Sequence, residues 1–308
     1  MSWSLADIPR LDGSVALVTG ANSGLGKIVA RELGAAGAHV VIACRSPERG
    51  AVALEELSVS EPSASFELLE LDLGSLASVG RAASEFTAAH PRLDILVNNA
   101  GVMIPPYRKT EDGFELQIGT NHLGHFALTA RLSDAMVAAP EPRVVNVSSA
   151  AHRTGSINFQ DIHFERGYSR LAAYSQSKLA NLLFTYELQR RATDADWNLS
   201  ALAAHPGYSA TNLQFAGIGL EENPVMSVVS RLGNAVFAQD AEAGALPILY
   251  AATSPDAPPG SFVGPDGPFE MRGSPTLVEP AAAARDEIAA RRLWELSEEL
   301  TGIGFLDR

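Results

Sequence analysis

Short runs of apolar residues alternate along this chain with longer segments whose apolar positions recur every three or four residues. Each short run predicts a β-strand buried on both faces, because such a strand has no solvent side to carry alternating polar residues. Each longer segment predicts an amphipathic helix. The predicted strands are Val15–Thr19, His39–Ala43, Phe66–Leu71, Asp94–Asn98, Arg143–Ser148 and Asn198–Ala204. The predicted helices are Leu25–Ala36, Pro47–Leu57, Leu76–Ala89, Glu115–Ala139 and Ala172–Arg191.

The alternation of strands and helices favours an α/β fold in which helices cover both faces of a parallel sheet. The segment Pro255–Pro280 is rich in proline and glycine and is expected to be a loop that leads to a terminal helix, Ala281–Leu300. We therefore expect a single domain over residues 1–308, with a core from about 13 to 255 and a C-terminal extension from about 256 to 308.

Composition narrows the possible partners. The chain has 308 residues, 46% of them hydrophobic, and a formal net charge of −13. An acidic surface repels nucleic acid and anionic lipid, so neither is an expected partner. Cys44 is the only cysteine, which excludes an internal disulfide and suits a reducing compartment. The N-terminus lacks a signal-peptide pattern, and no run reaches the roughly 18 apolar residues of a membrane span. These features predict a cytoplasmic protein.

The first predicted strand runs into a glycine-rich turn that opens the first predicted helix. Gly20, Gly24 and Gly26 permit a tight turn and let the backbone approach a pyrophosphate. The N–H groups and positive dipole end of the following helix would bind that pyrophosphate. Such a turn can serve chain geometry alone, but its position between the first strand and the first helix predicts a dinucleotide site.

The end of the second strand indicates which dinucleotide binds. An NAD site usually has a carboxylate there that accepts a hydrogen bond from the ribose 2′-OH, but Cys44 stands at this position and Arg45 follows it. A guanidinium can pair with the 2′-phosphate of NADP, and Ser46 could add a hydroxyl donor. Arg45 could instead be an ordinary surface charge at a strand end. We predict NADP(H) in preference to NAD(H).

Two later segments are expected in the same crevice. Asp72 follows the third strand and could accept a hydrogen bond from an adenine amino group. Asn98 opens the turn Asn-Asn-Ala-Gly after the fourth strand, where Ala100 and Gly101 leave room for a ligand. Asn98 could also bond its own backbone, as turn residues do.

Tyr174 and Lys178 are four positions apart in a predicted helix, so their side chains share one helical face. A free phenol has a pKa of about 10 and is a poor base at neutral pH. A nearby cation favours the phenolate, which brings the phenol's pKa toward the range of a general acid/base. The spacing also fits a solvated helix face, because it is common by chance.

His122 and His125 are three positions apart in a predicted helix, a possible metal-ligand spacing. The pattern supplies no cysteine or carboxylate to complete such a site, so no metal is predicted. His205 and Asn146 are expected to serve structure.

Taken together, these motifs resemble those of the short-chain dehydrogenase/reductase family, in its single-domain branch. In that family's order they are Thr19-Gly-x-x-x-Gly-x-Gly, Asn98-Asn-Ala-Gly, Ser149, Tyr174-x-x-x-Lys178 and His205-Pro-Gly, within about residues 13–255. Four stretches look most like the retinol-dehydrogenase-like and protochlorophyllide-reductase-like subgroup: residues 121–126, 174–181, 264–267 and 292–299.

The resemblance implies a Rossmann-type doubly wound parallel sheet of about seven strands, with the cofactor across the carboxyl ends of the strands. It also implies a four-residue catalytic site. Tyr174 would exchange a proton with the substrate oxygen, and Lys178 would lower the pKa of Tyr174 and hold the ribose. Ser149, preferred to Ser148 by motif register, would orient the carbonyl. Asn121 would support a water relay behind Lys178.

The same resemblance places Pro206 and Gly207 beside the nicotinamide and Thr211 at its carboxamide. The full set of implied cofactor contacts is Gly20, Asn22, Ser23, Gly24, Leu25, Gly26, Arg45, Ser46, Asp72, Leu73, Asn98, Ala100, Gly101, Tyr174, Lys178, Pro206, Gly207 and Thr211.

Ser149 and Tyr174 are 25 positions apart, an interval longer than is usual in the family. The additional residues, about His152–Leu171, are expected to remodel the pocket rim, and the retinol-like subgroup carries a similar insertion. Leu213–Phe237 contains several apolar residues and could be a mobile lid or ordinary helix packing. Met103, Ile104 and Tyr107 could form the opposite wall, which indicates a lipophilic substrate.

The predicted function is an NADP(H)-dependent oxidoreductase that transfers hydride between nicotinamide and a carbonyl or alcohol of a lipophilic small molecule. A second hypothesis is a catalytically silent NADP(H)-binding sensor or scaffold, although such a protein has no need for all four catalytic residues. Nucleotide-sugar epimerisation fits the glycine spacing less well, and reduction of a carbon–carbon double bond stays open. Members of the family often form homodimers or homotetramers through the helices that carry Asn121 and Tyr174.

Overall fold

The computed structural model describes residues 2–207 and 240–304. Within these residues one sheet contains the strands β1 (Val15–Thr19), β2 (His39–Cys44), β3 (Ser65–Glu70), β4 (Ile95–Asn98), β5 (Arg143–Val147), β6 (Ser200–Ala204), β7 (Phe262–Pro265) and β8 (Pro275–Leu277). Their order across the sheet is β3-β2-β1-β4-β5-β6-β7-β8. Seven strands are parallel, and β8 runs antiparallel to β7. The predicted α/β fold with a Rossmann-type sheet is thereby confirmed.

Helices connect the strands. They are α1 (Gly24–Ala35), α2 (Pro47–Ser60), α3 (Leu76–Ala89), α4 (Leu116–Ile118), α5 (Gly124–Arg131), α6 (Ser133–Val137), α7 (Arg170–Asp194), α8 (Ala241–Thr253) and α9 (Glu287–Thr301). Serine N-caps set where three of them begin: the hydroxyls of Ser46, Ser75 and Ser169 accept a hydrogen bond from the first turns of α2, α3 and α7. Such a cap satisfies an N–H group that has no partner within the helix. No helix in the described ranges is long and apolar enough to cross a membrane.

Both faces of the sheet are buried, as the continuous apolar runs predicted. Leu17 of β1 and Val41 of β2 belong to a core beneath α3, α5, α7 and α9. Val18 and Val40, their neighbours along the chain, belong to a second core beneath α1, α2 and α8. Successive strand residues point to opposite faces, so each strand contributes to both cores.

The segment expected to be a loop, Pro255–Pro280, contains β7 and β8 instead. The sheet therefore has eight strands rather than about seven, and it extends to Leu277, past the expected core limit near residue 255. The two strands pair Pro265 with Pro275 at the edge of the sheet, where a residue without an N–H is tolerated. These two strands were not predicted from the sequence because they contain proline or glycine, which are depleted in most β-strands.

The predicted helix Glu115–Ala139 is divided into α4, a π-helical turn at Gly119–Leu123, α5 and α6. The position directly after the π-helical turn, Gly124, requires glycine because another segment of the chain lies very close to it. An added Cβ would lie 2.3 Å from the carbonyl oxygen of Leu73. Single π-helical turns inside α-helices are frequent at functional sites, and this one contains Asn121.

Candidate active site

The sequence motifs converge at the carboxyl ends of β1, β4 and β5. The chain leaves β1 toward β2 on one side, while β4 lies on the other side of β1. Connections that diverge in this way open a crevice at the carboxyl ends of the strands, where ligands of doubly wound folds bind.

The glycine-rich turn after β1 shapes one wall of this crevice. Gly20 and Gly24 have φ angles of +68° and +55°, a left-handed conformation that favours glycine. An added Cβ on Gly26 would lie 2.6 Å from the carbonyl oxygen of Gly20, so α1 can approach the turn only with glycine there. Ser23 is the N-cap of α1, but its hydroxyl makes no capping bond. Asn22 and Leu25 complete the turn.

Thr19 and Asn99 fasten this turn to the one that follows β4, and the motifs did not indicate either role. The Thr19 hydroxyl accepts hydrogen bonds from the main-chain N–H groups of Asn99, at 3.0 Å, and Ala100, at 2.9 Å. The Asn99 amide donates to the Thr19 carbonyl at 2.8 Å. The glycine-rich turn and the Asn-Asn-Ala-Gly turn therefore form one rigid wall.

Asn98, predicted as a cofactor contact, turns its side chain away from the crevice. Its amide nitrogen donates to Thr129 Oγ1 at 3.0 Å and to Asn146 Oδ1 at 2.9 Å, in the buried layer between β4, α5 and β5. Asn146 also donates to Thr185 on α7, in keeping with the structural role expected of it. Any contact of Asn98 with a cofactor would have to come from its main chain.

Arg45 is exposed directly after β2, at the rim of the crevice. The Cys44 thiol is buried and points to the carbonyl of Ser46, and burial raises the pKa of this thiol. The Ser46 hydroxyl caps α2 and donates its proton to Glu48 Oε2 at 2.7 Å. Ser46 is thus already engaged, and Glu48 brings a negative charge to this corner.

Asp72 and Leu73 follow β3. One Asp72 carboxylate oxygen accepts the N–H of Gly74 at 2.8 Å, so Asp72 shapes its own turn. The Leu73 side chain lies in the hydrophobic core with Phe126 and leaves only main-chain atoms for the crevice.

Tyr174 and Ser149 meet at the end of β5. Tyr174 lies in the second turn of α7 and is buried. Ser149 is half-buried and forms a hydrogen bond with the Tyr174 hydroxyl, and this bond acts to lower the pKa of Tyr174. Ser148 is directed elsewhere, because its hydroxyl donates to the carbonyl of Lys178 at 2.8 Å. The geometry thus favours Ser149 over Ser148 as the serine beside Tyr174.

Lys178 lies one turn after Tyr174, and its ammonium nitrogen is 5.8 Å from the centre of the Tyr174 ring. The ammonium donates to the carbonyl of Val147 at 3.0 Å. Burial lowers the pKa of Lys178 to about 8.

We expected Lys178 to lower the pKa of Tyr174, but the surrounding protein raises this pKa instead. Burial raises the pKa of Tyr174 to about 12, with the Ser149 hydrogen bond offsetting part of the rise. Desolvation disfavours phenolate and ammonium alike. At neutral pH Tyr174 is therefore a protonated phenol that can donate a proton, and Lys178 is a cation.

Asn121 lies behind Lys178 in the π-helical turn. Its side chain accepts the N–H of Val102 at 2.7 Å and donates to the Val102 carbonyl at 3.0 Å and to Ser177 Oγ on α7 at 2.9 Å. An added Cβ on Gly101 would lie 3.0 Å from Asn121 Oδ1 and 3.6 Å from Lys178 Nζ. Asn121, Gly101 and Lys178 therefore meet at the base of the crevice.

His125 joins Asn121 to the glycine-rich turn. Its Nδ1 donates to the carbonyl of Asn121 at 3.0 Å, so its Nε2 accepts from the Thr19 hydroxyl at 2.9 Å. Burial lowers the pKa of His125 to about 4, which keeps the ring neutral. His122 points instead to Ser297 on α9. The two rings thus have separate partners rather than a shared ligand.

The loop after β6 carries Pro206 and Gly207 on the far side of the crevice. Gly207 has a φ of +64°, and an added Cβ would lie 2.5 Å from the carbonyl oxygen of Met271. His205 is buried beneath this loop: its Nδ1 accepts the N–H of Gly207, and its Nε2 donates to Glu270 at 3.1 Å. Thr211 and the possible lid, Leu213–Phe237, lie outside the described residues.

The loop that carries Ser149 is held by the C-terminal segment. His152 donates from Nδ1 to the carbonyl of Ser149 at 2.6 Å and accepts the N–H of Ala281 on Nε2. Arg153 pairs with Glu270 at 2.7 Å. The sequence did not indicate these supports, because their partners are more than a hundred residues away.

The long interval before Tyr174 forms part of the rim. Tyr168 in this insertion accepts a hydrogen bond from Gln117 at 2.9 Å, and its hydroxyl lies 3.1 Å from Glu115 Oε1. Its ring contacts the half-exposed ring of Tyr107, with centroids 5.0 Å apart. The insertion therefore packs against the segment expected to form a pocket wall.

A model of the short chain dehydrogenase family matches residues 14–216. The chain belongs to the short chain dehydrogenase family. It is 40% identical to human retinol dehydrogenase 12 over 294 residues, which cover 96% of this chain and 88% of that protein. It is similar to a structure of an uncharacterized protein from Mycobacterium paratuberculosis, with 44% identity, a TM-score of 0.82 and 99% of both chains covered. It also resembles the Pseudomonas aeruginosa RhlG/NADP active-site complex, with 25% identity, a TM-score of 0.66, and 85% of this chain and 98% of that chain covered.

These similarities place the chain in the retinol-dehydrogenase-like subgroup. It is an oxidoreductase that transfers hydride between a nicotinamide cofactor and an alcohol or carbonyl of a small molecule. The glycine-rich turn fits such a cofactor, because no atom of the described residues lies within 4 Å of an added Cβ at Gly24, while Gly20 and Gly26 are tightly packed behind it. The turn is thus closed toward the protein and open toward the crevice.

Proposed function

We propose that this protein is an NADP(H)-dependent reductase and dehydrogenase of lipophilic carbonyls and alcohols, with Tyr174 as its general acid/base. The observation that carries the proposal is the meeting of Ser149 and Tyr174 beside buried Lys178, at the carboxyl end of β5. A sensor or scaffold would need the nucleotide crevice but not this arrangement of hydroxyls.

The bound dinucleotide supplies or accepts hydride at nicotinamide C4. In the reducing direction, the hydroxyls of Ser149 and Tyr174 donate hydrogen bonds to the substrate oxygen, where negative charge develops. Donors fixed in advance in a buried site stabilise such charge, and one donor is typically worth about 3–4 kcal/mol. Tyr174 then transfers its proton to the oxygen. The raised pKa of Tyr174, about 12, keeps that proton in place at neutral pH.

Lys178 and Asn121 support this step. The Lys178 ammonium favours the phenolate that Tyr174 becomes when its proton has left. Asn121 holds Val102 and Ser177 by its side chain, which fixes the turn after β4 against α7. A movement of Asn121 would therefore displace the base of the crevice.

Arg45 supports the preference for NADP(H). It is exposed at the end of β2, where its guanidinium can pair with a 2′-phosphate, and no carboxylate stands at position 44 to repel that phosphate. Glu48, held by Ser46 at 2.7 Å, works against this preference. Arg45 must therefore outweigh a nearby negative charge.

Two observations support a lipophilic substrate. The curated relatives at about 40% identity are named retinol dehydrogenases, and retinol is a largely apolar primary alcohol. Tyr107, on the segment after β4, presents a half-exposed aromatic surface at the rim. We propose long-chain or polyene alcohols and aldehydes as the substrate class.

The test combines binding and turnover. Titration with NADPH and with NADH is expected to show tighter binding of NADPH. A panel of short, aromatic and long-chain aldehydes, including retinal, is then assayed by NADPH consumption. Turnover that rises with the apolar length of the aldehyde supports the proposal. Binding of NADPH without turnover of any carbonyl or α,β-unsaturated carbonyl would instead support the silent sensor. Loss of the double bond in the product would identify carbon–carbon reduction.

A further inference from the structure

We propose that His39, Glu67 and His90 form a binding site for one divalent transition-metal cation such as Zn²⁺, remote from the active site. Glu67 Oε2 lies 3.2 Å from His39 Nε2 and 3.0 Å from His90 Nε2. The three atoms able to ligate a metal all lie within 4.8 Å of one another. Two imidazoles and one carboxylate are a donor set that Zn²⁺ and its neighbours in the first transition series prefer.

Three separate elements bring these side chains together. His39 is the first residue of β2 and lies directly opposite Ser65 of β3. Glu67 is two positions further along β3, so it points to the same face as Ser65. His90 is the C-cap of α3, which covers that face. The cluster thus lies near the amino ends of β2 and β3, whereas the crevice lies at the carboxyl ends of the strands.

Two of the three distances within the cluster match the space that a metal ion requires. A cation about 2.0–2.2 Å from nitrogen and oxygen ligands holds those ligand atoms roughly 2.9–3.5 Å apart, in octahedral or tetrahedral geometry. The separations of Glu67 Oε2 from the two imidazole nitrogens, 3.0 and 3.2 Å, fall inside this interval. All three ligand atoms lie within 4.8 Å of one another, and rotation of the two rings would bring their nitrogens to a shared ion.

The surroundings favour a cation as well. His39 Nδ1 lies 2.7 Å from Ser65 Oγ, and a hydrogen bond from Nδ1 would direct the Nε2 lone pair toward the ion. The side chains of His39, His90 and Glu67 are 29%, 13% and 41% exposed, so water can reach the remaining coordination positions. The net charge of the chain is −13, which attracts cations generally.

A bound ion would stabilise an edge of the fold. β3 is the edge strand of the sheet, and five of its six residues are partly buried or exposed. The ion would link β3 to β2 and to the end of α3. A cation that binds the folded state alone raises Tm as its concentration exceeds Kd, and the rise should be several degrees.

The same contacts could be hydrogen bonds from two Nε2–H groups to the Glu67 carboxylate, so the experiment must separate an ion site from a hydrogen-bonded triad. The full-length protein is treated with EDTA, dialysed, and titrated with ZnCl₂ by calorimetry, with Tm measured in parallel. We expect one equivalent to bind and Tm to rise. MgCl₂, an oxygen-preferring cation, should give neither effect.

Matched variants locate the site. His39→Gln, Glu67→Gln and His90→Gln should each weaken Zn²⁺ binding at least tenfold and remove the rise in Tm. His163→Gln, on the insertion before α7, should leave both unchanged. Absence of saturable binding, or retained binding in all three site variants, would overturn the proposal. So would loss of binding in His163→Gln.

A second measurement covers the case of a variant that fails to fold. X-ray diffraction from wild-type crystals soaked in ZnCl₂, at wavelengths on either side of the zinc absorption edge, shows where zinc lies. Zinc among the three side chains supports the site. Zinc only elsewhere overturns it.

Discussion

Glu270 accepts a hydrogen bond from His205 at 3.1 Å and pairs with Arg153 at 2.7 Å. It thereby connects two walls of the crevice, the loop with Pro206 and Gly207 and the helical turn after Ser149. Glu270 has a φ of +55°, a conformation that a non-glycine residue adopts at a cost and that surrounding contacts must maintain. The C-terminal segment therefore supports both sides of the site.

Glu270→Gln should loosen the side of the crevice formed by the loop with Pro206 and Gly207. The variant keeps the size of the side chain but removes the charge that Arg153 and His205 hold, so we expect KM for NADPH to rise several-fold and Tm to fall. Steady-state kinetics and thermal unfolding measure the two effects. The matched control is Glu279→Gln, whose exposed carboxylate pairs only at the surface with Arg285; it should change stability by less than about 0.5 kcal/mol.

The pH dependence of this effect has a definite sign. The hydrogen bond from His205, with a further contribution from Arg153, lowers the pKa of Glu270 to about 2, against the effect of burial. A carboxyl whose pKa is lowered in the folded state stabilises that state above its unfolded pKa and loses the effect as pH falls. The stability difference between wild type and Glu270→Gln, about 1–3 kcal/mol near neutrality, should shrink between pH 4.5 and 2. A difference that stays constant over this window would contradict the assigned contact.

Ser149→Ala and Ser148→Ala form a matched pair of neighbouring substitutions. Ser149 adjoins the Tyr174 hydroxyl, so its loss should lower kcat roughly 10²–10³-fold, the usual effect of one fewer donor to a developing oxyanion. Ser148 bonds the Lys178 carbonyl, and its loss should cost about 1 kcal/mol of stability and little turnover. Single-turnover rates and urea unfolding distinguish the two outcomes. The reverse pattern would transfer the role to Ser148.

Lys178→Met should stabilise the fold while removing activity. Burial lowers the pKa of Lys178 from 10.5 to about 8, so below pH 8 the folded state holds a charge that it disfavours by about 3 kcal/mol. Methionine fills similar space without that charge. The Val147 carbonyl keeps a partner, because Asn181 also donates to it at 3.1 Å. Chemical unfolding at pH 7 should therefore show a gain of up to about 3 kcal/mol.

The gain should disappear at high pH. Lys178 in the unfolded chain still binds its proton between pH 8 and 10.5, while in the folded protein it has lost it. The wild type therefore becomes relatively more stable as pH rises through this window, and the curves for wild type and Lys178→Met should converge near pH 10.5. Wild-type carbonyl reduction should decline above pH 8 for the same reason, because the ammonium is lost.

Arg45→Leu should separate the two cofactors. Loss of a guanidinium that pairs with the 2′-phosphate should weaken NADPH by about 1.5–3 kcal/mol, or roughly 10–150-fold, and leave NADH nearly unchanged. Glu48→Gln should act in the opposite direction, because it removes a negative charge from the same corner. Fluorescence titration with both cofactors measures these changes. Equal losses of affinity for NADPH and NADH in Arg45→Leu would contradict the proposed preference for NADP(H). The control is Arg81→Leu, which replaces an exposed arginine on α3.

Local signals predicted much of the fold. The strand Val15–Thr19 and the helix Leu76–Ala89 begin and end where expected, because an apolar run meets a glycine in the first case and Ser75 caps the second. The strands β7 and β8 were not predicted because each contains a proline, Pro265 or Pro275, and proline is rare in β-strands. The π-helical turn has no signature of its own, since its apolar positions fit an uninterrupted helix equally well.

The site was predictable only as a set of motifs. Sequence spacing indicated the pair Tyr174 and Lys178, but the pKa of each depends on burial, which a pattern does not express. Asn98 belonged to the right turn, yet its side chain bonds the layer behind the crevice. Supports such as Glu270 depend on contacts between distant segments, and no local pattern could have revealed them.

Tyr174→Phe tests the central role in the proposed reaction. The variant removes one hydroxyl from a buried ring, so kcat should fall roughly a hundredfold or more, while Kd for NADPH should stay within a few-fold of wild type. Tyr186→Phe is a close control on the same helix. Its hydroxyl is also buried, its pKa is also raised to about 12, and that hydroxyl has no hydrogen-bond partner among residues 2–207 and 240–304. Its removal should leave turnover unchanged and stability equal or improved. Near-normal turnover in Tyr174→Phe would show that another group transfers the proton, because a phenyl ring can neither donate nor accept one.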